Sequence, residues 1–278
     1  MQHLISIDDL SREEIVRLLS KVGKSSSLKG KLIATCFFEP STRTRLSFEA
    51  AAKRLGAEVI GFSDAKTTAD AKGESLSDAI RVVSSYVDVV VIRHPRKGAA
   101  HEAACAASCP VINAGDGDGE HPTQTLLDLY TIWQCQGRLS DLNVVMCGDL
   151  LHGRTVHSLV KALAHFDAHI SYVAPHSLEI PGQEHSKLED VLPSADILYM
   201  TRQQKERTEK ESEYIRITLE NLKNVKPNLR ILHPLPRVDE VAVEVDETPY
   251  AYYFEQAKNG VAVREVILEE LCLSPCLL

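Results

Sequence analysis

Eight short apolar runs, nearly unbroken by polar residues and separated by helical patterns, set the narrowest limit on how this chain can fold. They are "KLIATCFF" (31–38), "EVIGF" (58–62), "VDVVVIR" (87–93), "PVINAG" (110–115), "NVVMCGD" (143–149), "HISYVAP" (169–175), "ADILYM" (195–200) and "LRILHP" (229–234). Runs of this kind fit strands covered on both faces, and strands alternating with helices imply parallel pairing through crossovers. The expected class is α/β. No run approaches the roughly 20 apolar residues that span a bilayer, and the N-terminus lacks a charged-then-apolar leader. A soluble, cytoplasmic protein with no membrane partner is expected.

The intervening segments carry helical periodicity. "STRTRLSFEAAAKRLG" places Phe48, Ala51, Ala52 and Leu55 on one stripe and ends at a C-capping Gly56. "SLSDAIRVVSSY", "HPTQTLLDLYTIWQCQG" and "NGVAVREVILEELCLS" follow the same logic. A chain of 278 residues that is 44% hydrophobic can fill two cores. The motif layout falls into two halves with a linking helix at 121–136. The expected domains are 1–132, joined by the C-terminal helix at about 258–278, and 133–257. Each would be a doubly wound parallel sheet, with the active site in the cleft between them.

A net charge of −8 with no lysine or arginine block argues against a nucleic-acid partner, so any anionic ligand needs a local cationic cluster. Seven cysteines are scattered; Cys36 and Cys147 lie in apolar runs, and the pairs Cys105/Cys109 and Cys272/Cys276 lack a second half, so no metal is expected.

Six polar clusters follow six of the strands. After the first, Ser41, Thr42, Arg43 and Thr44 open a helix, where unpaired backbone N–H groups, hydroxyls and a guanidinium together suit a phosphate. The strand is expected to run up to Ser41. Taken alone, the same residues also read as a serine cap with solvated arginines. In "IRHP", Arg93 ends a strand and could reach the same anion. In "NAGDGDGEHPTQTLLDLY", a glycine- and aspartate-rich loop delivers His121 and Gln124 to one face of a first helical turn. Imidazole and carboxamide suit a carbamoyl or amide group, and a merely capping histidine is the plainer alternative. "GDLLHGRTVHSL" opens a helix with Arg154 and Thr155; its glycine spacing fails the dinucleotide fingerprint, and Arg154 reads better as a carboxylate clamp. "ILYMTRQQKER" brings Arg202 and Gln204, and "LHPLPRVDE" sets Leu235 between Pro234 and Pro236.

With these six in their order, the sequence resembles the aspartate and ornithine transcarbamoylase family over nearly its whole length, from about residue 4 to 271. The S-T-R-T element marks the superfamily. H-P-L-P-R, with R-x-Q after the preceding strand, marks the aspartate branch, since ornithine enzymes carry H-C-L-P. The resemblance implies transfer of a carbamoyl group from carbamoyl phosphate to L-aspartate, an early step of pyrimidine biosynthesis, with no cofactor, no metal and no covalent enzyme intermediate. Ser41, Thr42, Arg43, Thr44, Arg93, His121, Gln124 and Leu235 would bind carbamoyl phosphate, with Arg43, Thr44, Arg93 and His121 catalytic. Arg154, Thr155, Arg202, Gln204, Pro234 and Leu235 would bind aspartate. A neighbouring subunit would lend Thr68 and Lys72, which requires a homotrimer, and the resemblance leaves room for separate regulatory chains. A charged stretch, 203–214, would form a moving loop. The rival readings are a sister enzyme acting on another amine and a non-catalytic assembly partner.

The sequence departs from the family pattern in two ways. Thr68 stands where a serine is usual. The segment 175–195 offers one short helical pattern, "SKLEDVL", where the family has a further helix and strand, and the region before residue 31 is also short.

Overall fold

The computed structural model describes residues 1–63, 73–203 and 214–273. The chain divides into two compact units, Met1–Leu127 with Asn259–Leu278, and Asp128–Lys258. The first unit contains α1 (Arg12–Ser20), β1 (Leu32–Phe37), α2 (Thr42–Arg54), β2 (Glu58–Phe62), α3 (Leu76–Ser84), β3 (Val89–His94), α4 (Ala99–Ala106), β4 (Val111–Asp116) and the start of α5 (Pro122–Gln136). The second contains the rest of α5, β5 (Asn143–Cys147), α6 (Arg154–Ala164), β6 (His169–Val173), α7 (Leu188–Val191), β7 (Ile197–Met200), β8 (Arg230–Leu232) and the start of α8 (Tyr253–Leu273). The division falls inside α5 and again inside α8.

Both sheets are parallel and have one topology, β2-β1-β3-β4 and β6-β5-β7-β8. In each the first strand of the unit lies inside the sheet, and the chain turns back at its flank. That reversal is the switch point at which ligands of open α/β sheets bind, beyond the carboxyl ends of the strands. The α/β class is as the apolar runs require.

In the first unit β3 and β4 are buried almost throughout, whereas the edge strand β2 is largely exposed. One core layer gathers Cys36, Ile80, Val90, Ile92, Ala103 and Val111. Phe48 of α2 is fully buried beneath the Arg264 guanidinium, 4.9 Å from its ring centroid, and burying such a ring stabilises by about 2 to 3 kcal/mol. The second core gathers Cys147, Leu198, Met200, Ile231, Val245 and Tyr253. Cys36 and Cys147 are buried thiols whose pKa burial pushes up to about 12. They pack as small hydrophobes, as their apolar runs suggest.

Two boundaries and one helix differ from expectation. β1 stops at Phe37 instead of reaching Ser41, because Pro40 has no ladder donor and holds Glu39 out of the strand. α8 begins at Tyr253, five residues before the position read from periodicity. The alanine-rich α4 has too little apolar contrast to be legible in the sequence. The short segment 175–195 forms a 3-10 turn at His176–Leu178, then α7 and a second 3-10 turn at Leu192–Ser194.

Candidate functional site

The candidate residues of the first unit follow the carboxyl ends of β1, β3 and β4. Ser41 occupies the N-cap of α2 in an extended conformation, yet its side chain makes no capping hydrogen bond. The same residue type behaves differently at α1 and α3, where Ser11 and Ser75 accept from Glu14 N and Asp78 N. Those two helices carry acids in the first turn, and α2 carries none. The positive end of α2 therefore has neither a side-chain cap nor a first-turn acid, and carries the side chains of Thr42, Arg43 and a buried Thr44 on its first turn, an arrangement chemically suited to an anion. Desolvation pulls the Arg43 guanidinium below its ordinary value, and among the described residues no carboxylate pairs with it. Arg45, by contrast, is bound to Glu49 at 2.6 Å.

Arg93 sits opposite Phe37 in the β1–β3 register and is buried. Its guanidinium donates to the Ala114 carbonyl at 3.2 Å and pairs with Glu39, which lies just before the Ser41 turn. Glu39 was not picked out by sequence reasoning; nothing in "FFEPS" indicates that a carboxylate there would meet an arginine 54 residues away.

His121 and Gln124 are both buried. The His121 carbonyl accepts from Gln124 N and Thr125 N, so its backbone caps α5. Its Nδ1 lies 3.4 Å from Thr123 Oγ1. The loop before it is held by Asp116, which accepts from Gly98 N through Oδ2 and from Glu120 N through Oδ1. Asn113 accepts from Gly115 N at 2.8 Å and donates to Ile5 O at 2.9 Å. Gly117 has φ +55, and an added Cβ would stand 2.6 Å from Pro95 O, so the loop requires glycine there.

The second unit repeats the pattern beyond β5, β7 and β8. α6 begins at Arg154 with Gly153 as N-cap and again no side-chain cap. A Cβ on Gly153 would come within 2.5 Å of Asp149 O, so only glycine brings the helix start this close to the strand end. Arg154 and Thr155 are partly buried in its first turn. Thr201 fastens the end of β7 to that of β5, donating through N and Oγ1 to Cys147 O, and Arg202 next to it is exposed. Gln203 forms a two-way clasp with Ile215, donating to its carbonyl at 2.7 Å and accepting from its N–H at 3.1 Å. Beyond β8, Leu235 adopts φ +52, and its N–H donates to His233 Nδ1 at 2.8 Å. Burial alone would raise the Glu240 carboxyl, but hydrogen bonds from His233 and from backbone N–H groups hold it below the ordinary range.

The structure therefore brings Ser41, Thr42, Arg43, Thr44, Arg93, His121 and Gln124 to one sheet end, and Arg154, Thr155, Arg202, Pro234 and Leu235 to the other. Thr68, Lys72 and Gln204 lie outside the described residues. Among the described residues no three potential ligands cluster as a metal site, and no helix is long and apolar enough to cross a membrane.

Two family models match. Residues 2–134 match the carbamoyl-P binding domain of aspartate/ornithine carbamoyltransferase, and residues 140–271 match its Asp/Orn binding domain. The aspartate carbamoyltransferase catalytic subunit of Chromobacterium violaceum is 50% identical, with 96% of each chain covered. Among solved structures, the catalytic subunit of M. jannaschii aspartate transcarbamoylase superposes with a TM-score of 0.91 at 45% identity, covering 98% of both chains. Aspartate transcarbamoylase of Trypanosoma cruzi in complex with N-(phosphonacetyl)-L-aspartic acid gives 0.89 at 36% identity, covering 97% of this chain and 95% of that one.

Proposed function

The chain belongs to the aspartate/ornithine carbamoyltransferase family, and from that premise we propose how its two units divide one reaction. The reaction is transfer of the carbamoyl group from carbamoyl phosphate to the α-amine of L-aspartate, giving N-carbamoyl-L-aspartate and phosphate, an early step of pyrimidine synthesis. One observation carries the division of labour. Each sheet presents, at the same strand of the same topology, an uncapped helix start that bears an Arg-Thr pair, Arg43-Thr44 on α2 and Arg154-Thr155 on α6.

In the first unit the α2 backbone, Ser41, Thr42, Arg43 and Thr44 hold the phosphate. Arg93 reaches phosphate and carbonyl, and His121 and Gln124 face the carbamoyl group. In the second, Arg154 and Arg202 clamp the two aspartate carboxylates with Thr155 and Gln204, and the carbonyls of Pro234 and Leu235 orient nitrogen. Leu235 also serves the carbamoyl side.

The neutral amine attacks the carbamoyl carbon, the C–O bond to phosphate breaks, and phosphate leaves with the amine proton. Thr44, Arg93 and His121 stabilise the carbonyl oxygen as it gains negative charge; each such donor is typically worth about 3 kcal/mol. Holding two like-charged substrates at attack distance supplies up to roughly 7 to 11 kcal/mol in favourable cases. The aspartate branch is favoured over ornithine because a cationic side chain would face Arg202. Thr68 and Lys72 act on a neighbouring subunit's site, so the working form is a homotrimer in the cytoplasm.

The deciding experiment incubates the purified chain with carbamoyl phosphate and either L-aspartate or L-ornithine, beside an Arg43→Ala control. Carbamoyl aspartate that disappears in the control supports the reading. Absence of product from either amine in a folded protein sinks it. Mixing inactive Arg43→Ala and Lys72→Ala proteins tests the shared site: hybrid trimers regain activity, and self-contained subunits would not.

A further inference from the structure

Beneath the aspartate half-site runs a continuous chain of buried polar groups that the reaction does not touch. Tyr199 of β7 accepts a hydrogen bond from the Thr155 hydroxyl and donates to Asp128 Oδ2 at 2.7 Å. Asp128 accepts a second bond, from Gln256 Nε2 at 2.7 Å. Gln256 Oε1 accepts from His233 N, also at 2.7 Å. His233 Nδ1 accepts from Leu235 N at 2.8 Å, and its Nε2 meets Glu240 Oε1 at 2.8 Å. Glu240 Oε2 in turn accepts from Val238 N and Asp239 N, which closes the turn. Tyr199, Asp128, His233, Gln256 and Glu240 are each no more than 1% exposed.

Two features distinguish this from ordinary core polarity. Each bond along the chain has a defined donor and acceptor. Because Nδ1 receives the Leu235 N–H, the His233 proton is on Nε2 toward Glu240, and the Gln256 amide is oriented by Asp128 on one side and His233 N–H on the other. Moreover, its two ends are the residues that bind. One end is Thr155, in the first turn of α6, and the other is Leu235, whose φ of +52 is unfavourable for a residue with a Cβ and is held by its N–H bond. Apolar side chains of equal volume would be a cheaper filling, and fully satisfied networks of this kind confer rigidity.

We infer that the chain Thr155–Tyr199–Asp128–Gln256–His233–Leu235 is a positioning relay that sets the α6 start and the Leu235 backbone in one fixed relation, so that aspartate meets both or neither. The inference rests on the reading of Thr155 and Leu235 as aspartate-binding groups. The members between those two ends act through other residues and do not touch the substrate.

The test uses the full-length protein in its assembled form. Gln256→Met cuts the middle of the relay and Tyr199→Phe removes one oxygen near the Thr155 end. Each is expected to raise KM for L-aspartate about tenfold while weakening carbamoyl phosphate, which meets Leu235 but not Thr155, by no more than about threefold by calorimetry. Since one cut already disconnects the relay, the double variant stays near the single ones and does not reach the product of the two effects. His233→Asn keeps an acceptor where Nδ1 stood and retains KM within about threefold, whereas His233→Gln lacks that acceptor and behaves like Gln256→Met.

An unchanged aspartate KM in folded Gln256→Met, equal loss for both substrates, or multiplicative effects would each overturn the relay. Should Gln256→Met not fold, Tyr199→Phe alone decides. Amide hydrogen exchange gives a readout independent of turnover: both Leu235 and the first turn of α6 exchange faster in Tyr199→Phe. Acceleration at only one end overturns the relay whether or not the unmodified chain makes carbamoyl aspartate; absence of that product alone counts against the functional reading.

Discussion

In the first unit the residues assigned to the phosphate and the carbamoyl group are largely buried themselves, with Thr44, Arg93, His121 and Gln124 all under a tenth exposed. In the second, Arg202 is exposed and Arg154 half-buried, and the burial lies one layer down, in Tyr199, Asp128, Gln256 and His233. One topology thus supports two ways of holding an anion. On the proposed assignment a phosphate would be met by groups already fixed in place, a helix start and a guanidinium pinned by Glu39 and Ala114. On the same assignment an amino acid with two carboxylates would be met by long arms whose footing, not whose tips, is rigid. Preorganisation can therefore reside in the contact or beneath it.

The sharpest way to break the contrast is to remove one arginine from each unit. Arg93→Ala is expected to lower kcat about a thousandfold and, because the buried guanidinium's bonds to Glu39 and Ala114 O are lost, to cost about 2 kcal/mol in urea unfolding. Arg202→Ala is expected to raise KM for aspartate about a hundredfold, with stability unchanged within about 0.5 kcal/mol. Equal stability losses in the two variants would erase the distinction. Serine substitutions probe the same contrast within the first unit. Ser75→Ala removes a working cap and should cost about 1 kcal/mol of stability. Ser41→Ala removes none and should be near neutral thermally while weakening phosphate binding about tenfold, by calorimetry.

The smallest effect concerns pH. Arg17 and Lys21 hold the Glu270 carboxyl down to about 2, from an ordinary 4.5. A depressed carboxyl contributes its stability above its unfolded pKa and loses it as pH falls through the folded one. The first unit should therefore lose about 1 kcal/mol between roughly pH 4.5 and 2, once screening of the exposed cations is discounted. Glu270→Gln should flatten that slope, followed by acid unfolding.

How far the molecule was legible from its sequence depended on distance along the chain. Each apolar run became a strand because its signal is local, and the polar clusters beyond the strands could be read because a strand end and a helix start are adjacent in sequence. Glu39 and Asp116 were missed although they fix Arg93 and the loop before His121, since their partners are remote or backbone. The relay was least legible of all. Asp128 appears in "TLLDLY" as one acid in an apolar stripe, and its partner Gln256 lies 128 residues later. A lone acid on a buried helical face was the available signal, but it names no partner.

The two breaks in the chain, inside α5 and α8, carry a consequence for biosynthesis. The first unit needs Val263, Val266, Ile267, Leu268 and Leu271 to complete its buried interior, and these emerge from the ribosome after every residue of the second unit. The unit that is begun first is therefore finished last. During synthesis the first unit waits, with part of its apolar surface uncovered, until the last of these residues is made, which makes the nascent N-terminal half the stage at which a chaperone has most to protect.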